Sequence, residues 1–236
     1  MRFGLRAVGS ACHQVFSHLA VSFGGNLLAM LLSLPIVLVS IVAAFFVHSL
    51  SLVPLGIALL VGVLPNPACM GLQMLTRELA RGDTADLAEQ WQGLRRYWRV
   101  SLRAWLIAVP ITIACVLNVV FWGTQAASPA SSLHAVAAPL FVFWALVLFL
   151  WLGLHLYVAP LLLAQSEARV LLGYRNAVVI MLSRPAASWT VILIWLGALV
   201  FTSATGLATT IGLALAASIQ QNTLRRLLPN LLPAQG

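Results

Sequence analysis

Long apolar stretches constrain this chain more than any other feature of its sequence. A helix that crosses the hydrocarbon core of a bilayer needs about 20 consecutive, mainly apolar residues. Stretches of that length recur along the chain, and Arg103 is the only charged residue within them; they cover residues 27–47, 52–75, 102–122, 136–164 and 189–219. The sequence therefore predicts an all-α, polytopic bundle of transmembrane helices.

The composition supports a membrane location and excludes several classes of protein. Hydrophobic residues make up 61% of the 236 residues and charged residues 8%, whereas ordinary soluble domains carry roughly 25% charged residues. So few charges cannot cover a soluble globule, which excludes a soluble enzyme and a free nucleic-acid binder. Intrinsic disorder is excluded as well, because it requires low hydrophobicity and high charge.

Arginine supplies every basic charge, and its distribution predicts the orientation of the chain. There are 13 basic and five acidic side chains, and lysine is absent. The arginines fall into four segments, at 1–25, 76–103, 165–187 and 221–236. Because arginine-rich segments remain in the cytoplasm, we predict a multi-pass protein with both termini inside and its arginines near anionic lipid headgroups.

The predicted map is a single membrane domain over residues 1–236. It contains an N-terminal interfacial segment, two spans, a cytoplasmic amphipathic helix, two spans, a cytoplasmic loop, one long or two short spans, and a cytoplasmic tail. In the same order, these occupy residues 1–25, 26–75, 76–103, 104–164, 165–187, 188–220 and 221–236.

The number of crossings depends on the last apolar segment, 188–220. At 1.5 Å per residue, one helix over this segment would extend well beyond the roughly 30 Å core. Two short helices would keep Arg225 and Arg226 in the cytoplasm, and we favour them on that ground. The prediction is therefore about six crossings, or five if the segment is one long helix.

The amphipathic helix predicted at 76–103 carries the main candidate surface. Its apolar residues recur at steps of three and four, which places them on one helix face: Leu87, Trp91, Leu94, Trp98, Leu102 and Trp105. Such a helix lies in the membrane interface. We expect contacts with anionic lipid headgroups, or with a membrane-protein partner, from Trp91, Arg95, Arg96, Trp98 and Arg99.

Two features within the predicted spans lead to functional hypotheses. His155 lies deep in the fourth span, where a polar side chain is costly; it is a weak candidate cofactor ligand, and we favour a hydrogen bond to a neighbouring helix. Pro65, Asn66 and Pro67 interrupt the second span, because each proline removes a backbone donor. We predict a helix break there, and broken helices can line substrate sites.

The sequence carries no signature of catalysis. The hydrolase, zinc-protease and P-loop motifs are absent, and the three cysteines and five histidines lack metal-ligand spacing. Every carboxylate lies in a predicted cytoplasmic segment, which argues against a carrier that moves protons or sodium with buried acids. We therefore predict a protein that is not an enzyme and has no catalytic residue, metal or cofactor.

Several segments, taken in order, resemble the YesL-like family of bacterial integral membrane proteins. They are Asn26-Leu27-Leu28, Leu34-Pro35-Ile36-Val37, Pro67-Ala68, Thr76 to Asp83, Trp91 to Trp98, Tyr157 to Leu161, and Tyr174 to Ala177 leading to Arg184-Pro185. The resemblance covers roughly residues 22–220 and implies the bacterial inner membrane. It also implies a link to carbohydrate uptake, but it supplies no catalytic residues.

Three functions are open at this point. The first is an accessory or regulatory partner of solute uptake, with carbohydrate as the solute that the resemblance suggests. The second is a permease or channel in its own right, with the Pro65–Pro67 break as its main feature. The third is a structural subunit of a larger membrane complex, in which His155 would hold the cofactor.

Overall fold

The computed structural model describes residues 2–33, 64–81, 85–165, 167–205 and 211–228. Within these ranges the chain forms helices and turns and no strand, which confirms the all-helical prediction for them. The helices are α1 (Arg2–Ser17), α2 (Leu19–Leu32), α3 (Pro67–Arg81), α4 (Leu87–Ala127), α5 (His134–Ala164), α6 (Val170–Ser183), α7 (Pro185–Ala204) and α8 (Gly212–Leu227).

Two of these helices are long and apolar enough to cross a membrane, namely α4 with 41 residues and α5 with 31. Two bent pairs also qualify if each pair is one span: Leu5–Ser17 with α2, bent by 95°, and α6 with Pro185–Phe201, bent by 112°. The described residues thus contain two to four candidate spans by length and composition. The six crossings stay a prediction, since most of the first two predicted spans lies in 34–63, outside the described residues.

Residues 87–103 of the predicted amphipathic helix and the third span form one continuous helix in the structure. The prediction is wrong for residues 76–81, which continue α3 from the predicted second span. The side chain of Asp86 caps the N-terminus of α4 by accepting a hydrogen bond of 2.7 Å from the amide of Ala88, and the helix then runs through Pro110 to Ala127. The sequence analysis ends one element at 103 and begins the next at 104. The change from charged to apolar residues there does not interrupt backbone hydrogen bonding, because neither Gly nor Pro lies at the junction.

The first half of α4 packs against α3 through a close approach of the two backbones. A Cβ atom added to Gly93 would lie 2.6 Å from the Cβ of Met74, and one added to Gly71 would lie 2.7 Å from the carbonyl oxygen of Gln90. Only glycine leaves room for such contact. The apolar face named above is on the other side, since Trp91 and Trp98 are 42% and 45% exposed.

The second half of α5 forms the centre of the hydrophobic core. Leu156, Tyr157 and Leu162 are fully buried there, and Trp195 of α7 is buried in the same cluster. The first half of α5 and the second half of α4 expose large apolar side chains instead, such as Val142. An exposed apolar band of this kind is the surface that a lipid environment favours.

Helix α8 is buried over most of its length, although it is rich in polar residues. It contacts α1, α3, α5 and α7, and Gln220, Gln221 and Thr223 are at most 2% exposed. The sequence analysis treats residues from 221 onward as a cytoplasmic tail. In the structure the helix continues to Leu227, so the beginning of that segment belongs to the core.

The loop predicted at 165–187 also contains structure. Helix α6 occupies Val170–Ser183 and packs against α5, and α7 begins directly afterwards at Pro185. The loop prediction rests on the three arginines of this segment, and the structure shows that Arg169, Arg175 and Arg184 are exposed. A helix flanked by Arg169 and Arg184, with Arg175 on its exposed surface, accommodates both the charges and the buried residues between them.

Candidate functional site

The ring of His155 joins α5 to α6 through hydrogen bonds. Its ring is fully buried, with Nδ1 2.9 Å from the carbonyl oxygen of Trp151 and Nε2 3.1 Å from the hydroxyl of Tyr174 on α6. A carbonyl can only accept, so Nδ1 carries the proton and Nε2 accepts from the tyrosine. Both ring nitrogens are therefore engaged within the protein, which is the arrangement of an interhelical bond.

The aromatic side chains around His155 form a small, ordered group. The rings of Trp151 and Tyr174 are parallel with centroids 5.7 Å apart, and the edge of His155 meets Trp151 at 4.8 Å. Trp151 also donates a hydrogen bond of 2.9 Å from Nε1 to the hydroxyl of Thr112 on α4. This group connects α4, α5 and α6.

A set of buried amide side chains lies between α1, α3 and α8. We call it the amide cluster; its members are Gln14, Gln73, Gln220, Gln221 and Asn222, each at most 8% exposed. None of these side chains is among the site residues that the sequence predicts. The sequence feature that could have indicated the cluster is the run of uncharged amides from Gln220 to Asn222, because the chain has few polar residues elsewhere.

Gln73 is the centre of the amide cluster. Its Nε2 donates to Oε1 of Gln220, and its own Oε1 accepts a bond of 2.8 Å from Nε2 of Gln221. Gln220 continues the network by donating to the backbone oxygen of His155 at 3.2 Å. On the other side, Asn222 donates to Gln14 at 2.8 Å, so one uncharged network links α1, α3, α5 and α8.

The Pro65–Pro67 segment begins a helix. The predicted break within the second span stays a prediction, since residues 34–63 lie outside the described part of the chain. Leu64, Pro65 and Asn66 are buried and not helical, and Pro67 is the first residue of α3. Oδ1 of Asn66 accepts a bond of 2.9 Å from the amide of Cys69. Asparagine before the first turn and proline within it are the preferred residues for a helix start.

The arginine-rich segments meet at one end of the helix bundle. Arg77 donates to the backbone oxygen of Leu163 at 2.9 Å, at the C-terminus of α5. Arg225 of α8 donates to the oxygen of Ala80, at the C-terminus of α3, and Arg226 donates to Ser10 of α1. Guanidinium groups at helix C-termini pair carbonyls that the helices leave unpaired.

Burial has an electrostatic consequence at this end. Desolvation, reinforced by the neighbouring positive charge of Arg81, lowers the pKa of the Arg77 guanidinium from its ordinary value. Arginine stays protonated in proteins nevertheless. The half-buried guanidinium therefore keeps its charge. The hydrogen bond to Leu163 satisfies one of its nitrogens, while Nε has no partner among the described residues.

The predicted contact residues of α4 form an exposed surface of arginine and tryptophan. Arg95 lies over the ring of Trp91 at 5.1 Å, and Arg99 lies over Trp98 at 5.3 Å. Arg96 lies over Tyr97 at 5.5 Å. Stacking on aromatic rings orders these arginines while their charge stays accessible.

A groove of about 930 Å³ opens beside this surface, between α4 and the start of α6. Its lining includes Arg96, Arg99, Arg103 and Arg169 together with apolar residues of both helices. The first two of these arginines are among the predicted contact residues, and the other two are not. Arg169 follows α5 in sequence, so only the folded chain brings it to α4.

Within the described ranges, no group of three or more His, Cys, Asp or Glu side chains is arranged to hold a metal ion. Comparisons of the chain with protein-family models, curated proteins and solved structures find no match. The resemblance to the YesL-like family therefore depends on the sequence segments alone.

Proposed function

We propose that the protein is a non-enzymatic integral membrane protein of the bacterial inner membrane, an accessory subunit whose arginine-rich end faces the cytoplasm. The observation that supports this is the meeting of all four arginine-rich segments. Arg225 reaches Ala80, Arg226 reaches Ser10, and Arg169 shares a groove with Arg96. If all four segments lie on the cytoplasmic side, both termini are inside and the number of crossings is even, which agrees with about six crossings.

The topology is testable by cysteine labelling in intact cells. In a background without Cys12, Cys69 and Cys115, single cysteines are introduced by Arg95→Cys or Ser132→Cys. A maleimide that cannot cross the membrane should label the Ser132→Cys protein in intact cells. It should label the Arg95→Cys protein only after the cells are permeabilised. Labelling of Arg95→Cys in intact cells would overturn the proposed orientation.

The arginine and tryptophan surface of α4 is the docking surface in this proposal. The three arginines that stack on aromatic rings would meet acidic groups of a membrane-protein partner in solute uptake, next to the lipid headgroups. The variant R95Q/R96Q/R99Q should insert normally and lose any stoichiometric partner that copurifies from native membranes. The variant R175Q/R184Q is the control, because its exposed arginines lie on α6 and at its end. Equal partner yields for both variants and the native chain would remove the docking role.

A permease for an uncharged polar solute is the second candidate, and the amide cluster favours it. Two hydroxyls near that cluster, those of Ser218 and Thr223, are buried without a hydrogen-bond partner among the described residues. Unpaired hydroxyls beside uncharged amides suit a solute rich in hydroxyls better than an ion. Uptake of labelled neutral solutes into liposomes with the purified chain tests this, and its absence leaves the accessory role.

A further inference from the structure

The groove between α4 and α6 is lined by arginines from two separate parts of the chain. Arg96, Arg99 and Arg103 follow one another at steps of three and four residues, so they share a face of α4. At 1.5 Å per residue they cover about 10 Å along the helix. Arg169 adds a fourth guanidinium from the segment before α6. The groove therefore concentrates positive charge from two separate parts of the chain.

Acidic side chains do little to neutralise this charge. Among the described residues, Arg96, Arg99 and Arg103 have no carboxylate within ion-pair distance. Arg169 pairs with Glu167 at 2.6 Å, but both side chains are more than 70% exposed, and solvent screens such a pair strongly. The groove thus keeps most of its capacity to bind an anion.

The groove is polar at one end and apolar at the other. Leu106 and Ile107 follow Arg103 within about one helical turn and are 58% and 43% exposed. Leu171 of α6, also in the lining, is 80% exposed. A ligand that fits this order carries its negative charge beside the arginines and extends an apolar chain along α4 toward the exposed apolar band.

We propose that this groove binds one anionic phospholipid, with its phosphate among Arg96, Arg99, Arg103 and Arg169 and an acyl chain along Leu106 and Ile107. Basic pockets beside membrane helices are known to take such headgroups. A volume of about 930 Å³ lies within the range of ligand sites. A free phosphate would leave the apolar half unused. The inference rests on the proposed function, because the groove must lie at the level of the headgroups.

Native mass spectrometry of the full chain in uncharged detergent tests the proposal. The chain is supplied with phosphatidylglycerol, phosphatidylcholine or inorganic phosphate, and the bound molecules are counted. One phosphatidylglycerol per chain should be retained, in preference to phosphatidylcholine, and millimolar inorganic phosphate should not displace it. Equal retention of the two lipids, or displacement by phosphate, would overturn the assignment.

Two triple variants distinguish lipid binding in the groove from a general effect of the protein's net charge. Each arginine near an anionic group contributes about a fivefold gain in affinity, so R96Q/R99Q/R103Q should bind phosphatidylglycerol on the order of 100-fold more weakly. The matched variant R6Q/R175Q/R184Q loses the same charge outside the groove, at exposed arginines, and should bind as the native chain does. Equal weakening in both variants would refute a specific site.

A single substitution tests the site if R96Q/R99Q/R103Q does not insert into the membrane. Arg103→Gln alone should weaken retention about fivefold, and unchanged retention would count against the site. The labelling experiment on Arg95→Cys reports orientation independently. If orientation is as proposed and R96Q/R99Q/R103Q still retains the lipid, the groove inference fails while the proposed function stands.

Discussion

The amide cluster should stabilise the helix bundle, and Gln220→Leu tests this most directly. The substitution removes the acceptor of Gln73 Nε2 and the donor to the His155 backbone oxygen. That oxygen lies inside α5 and keeps its helical partner. Gln73 is fully buried, so its amide loses an acceptor that water cannot replace.

The magnitude follows from these two bonds. A buried donor left without an acceptor costs about 1–3 kcal/mol, and hydrogen bonds between membrane helices contribute about 0.6–2 kcal/mol. We expect Gln220→Leu to lower the free energy of unfolding by about 2 kcal/mol. Gln92→Leu is the matched control, since Gln92 is exposed on α4 and its substitution should change stability by less than about 0.5 kcal/mol.

The assay is reversible unfolding in mixed micelles, followed by tryptophan fluorescence, in a double-mutant cycle with Gln73→Leu. Replacing both partners by apolar groups is nearly neutral for that pair. The double variant should therefore lose less stability than the two single variants together, by about 1–2 kcal/mol. Additive effects, or a cost for Gln220→Leu no larger than that of Gln92→Leu, would refute a coupled network.

Three further substitutions test other parts of the bundle in the same unfolding assay. Gly93→Ala should cost about 1–3 kcal/mol because its Cβ would collide with α3, whereas Gly197→Ala, which meets nothing within 4 Å, should not destabilise; equal effects would exclude the close approach. Asn66→Ala should cost about 1 kcal/mol through loss of the cap on α3, and no change would show that the cap is dispensable. Tyr174→Phe should cost about 1 kcal/mol by leaving Nε2 of His155 without its donor, and unchanged stability would rule out that bond.

The all-helical fold and the membrane character could be predicted, because long apolar stretches indicate helices that lipid can surround. The predicted spans at 102–122 and 136–164 lie within the two helices that qualify singly. Asn66 and Pro67 favour a helix start through local backbone geometry, although the sequence prediction describes this segment only as an interruption of the second span. These features depend on residues that are close together in the sequence, so they can be predicted without knowledge of contacts between distant segments.

The burial of α8 could not be predicted in the same way. In a membrane protein the interior need not be more apolar than the surface, because lipid already surrounds the outside with hydrocarbon. Gln220 and Gln221 therefore occupy the core, while Leu117 and Phe143 face outward. The predicted tail begins at Gln221 because hydropathy favours water for an uncharged amide at the end of an apolar segment, and only its partner Gln73 on α3 shows otherwise.

The interior and the arginine-rich end use different chemistry, which makes their roles separable. Uncharged amides hold the helices together, and their hydrogen bonds depend little on salt. The arginines of the groove are exposed, and their attraction to anions weakens beyond a Debye length of about 10 Å at 0.1 M salt. Substitution of Arg99 or Arg103 should thus alter what the protein binds without loosening Gln73 from Gln220. A loss of binding in those variants can be assigned to the surface itself, because the network that maintains the fold contains none of their atoms.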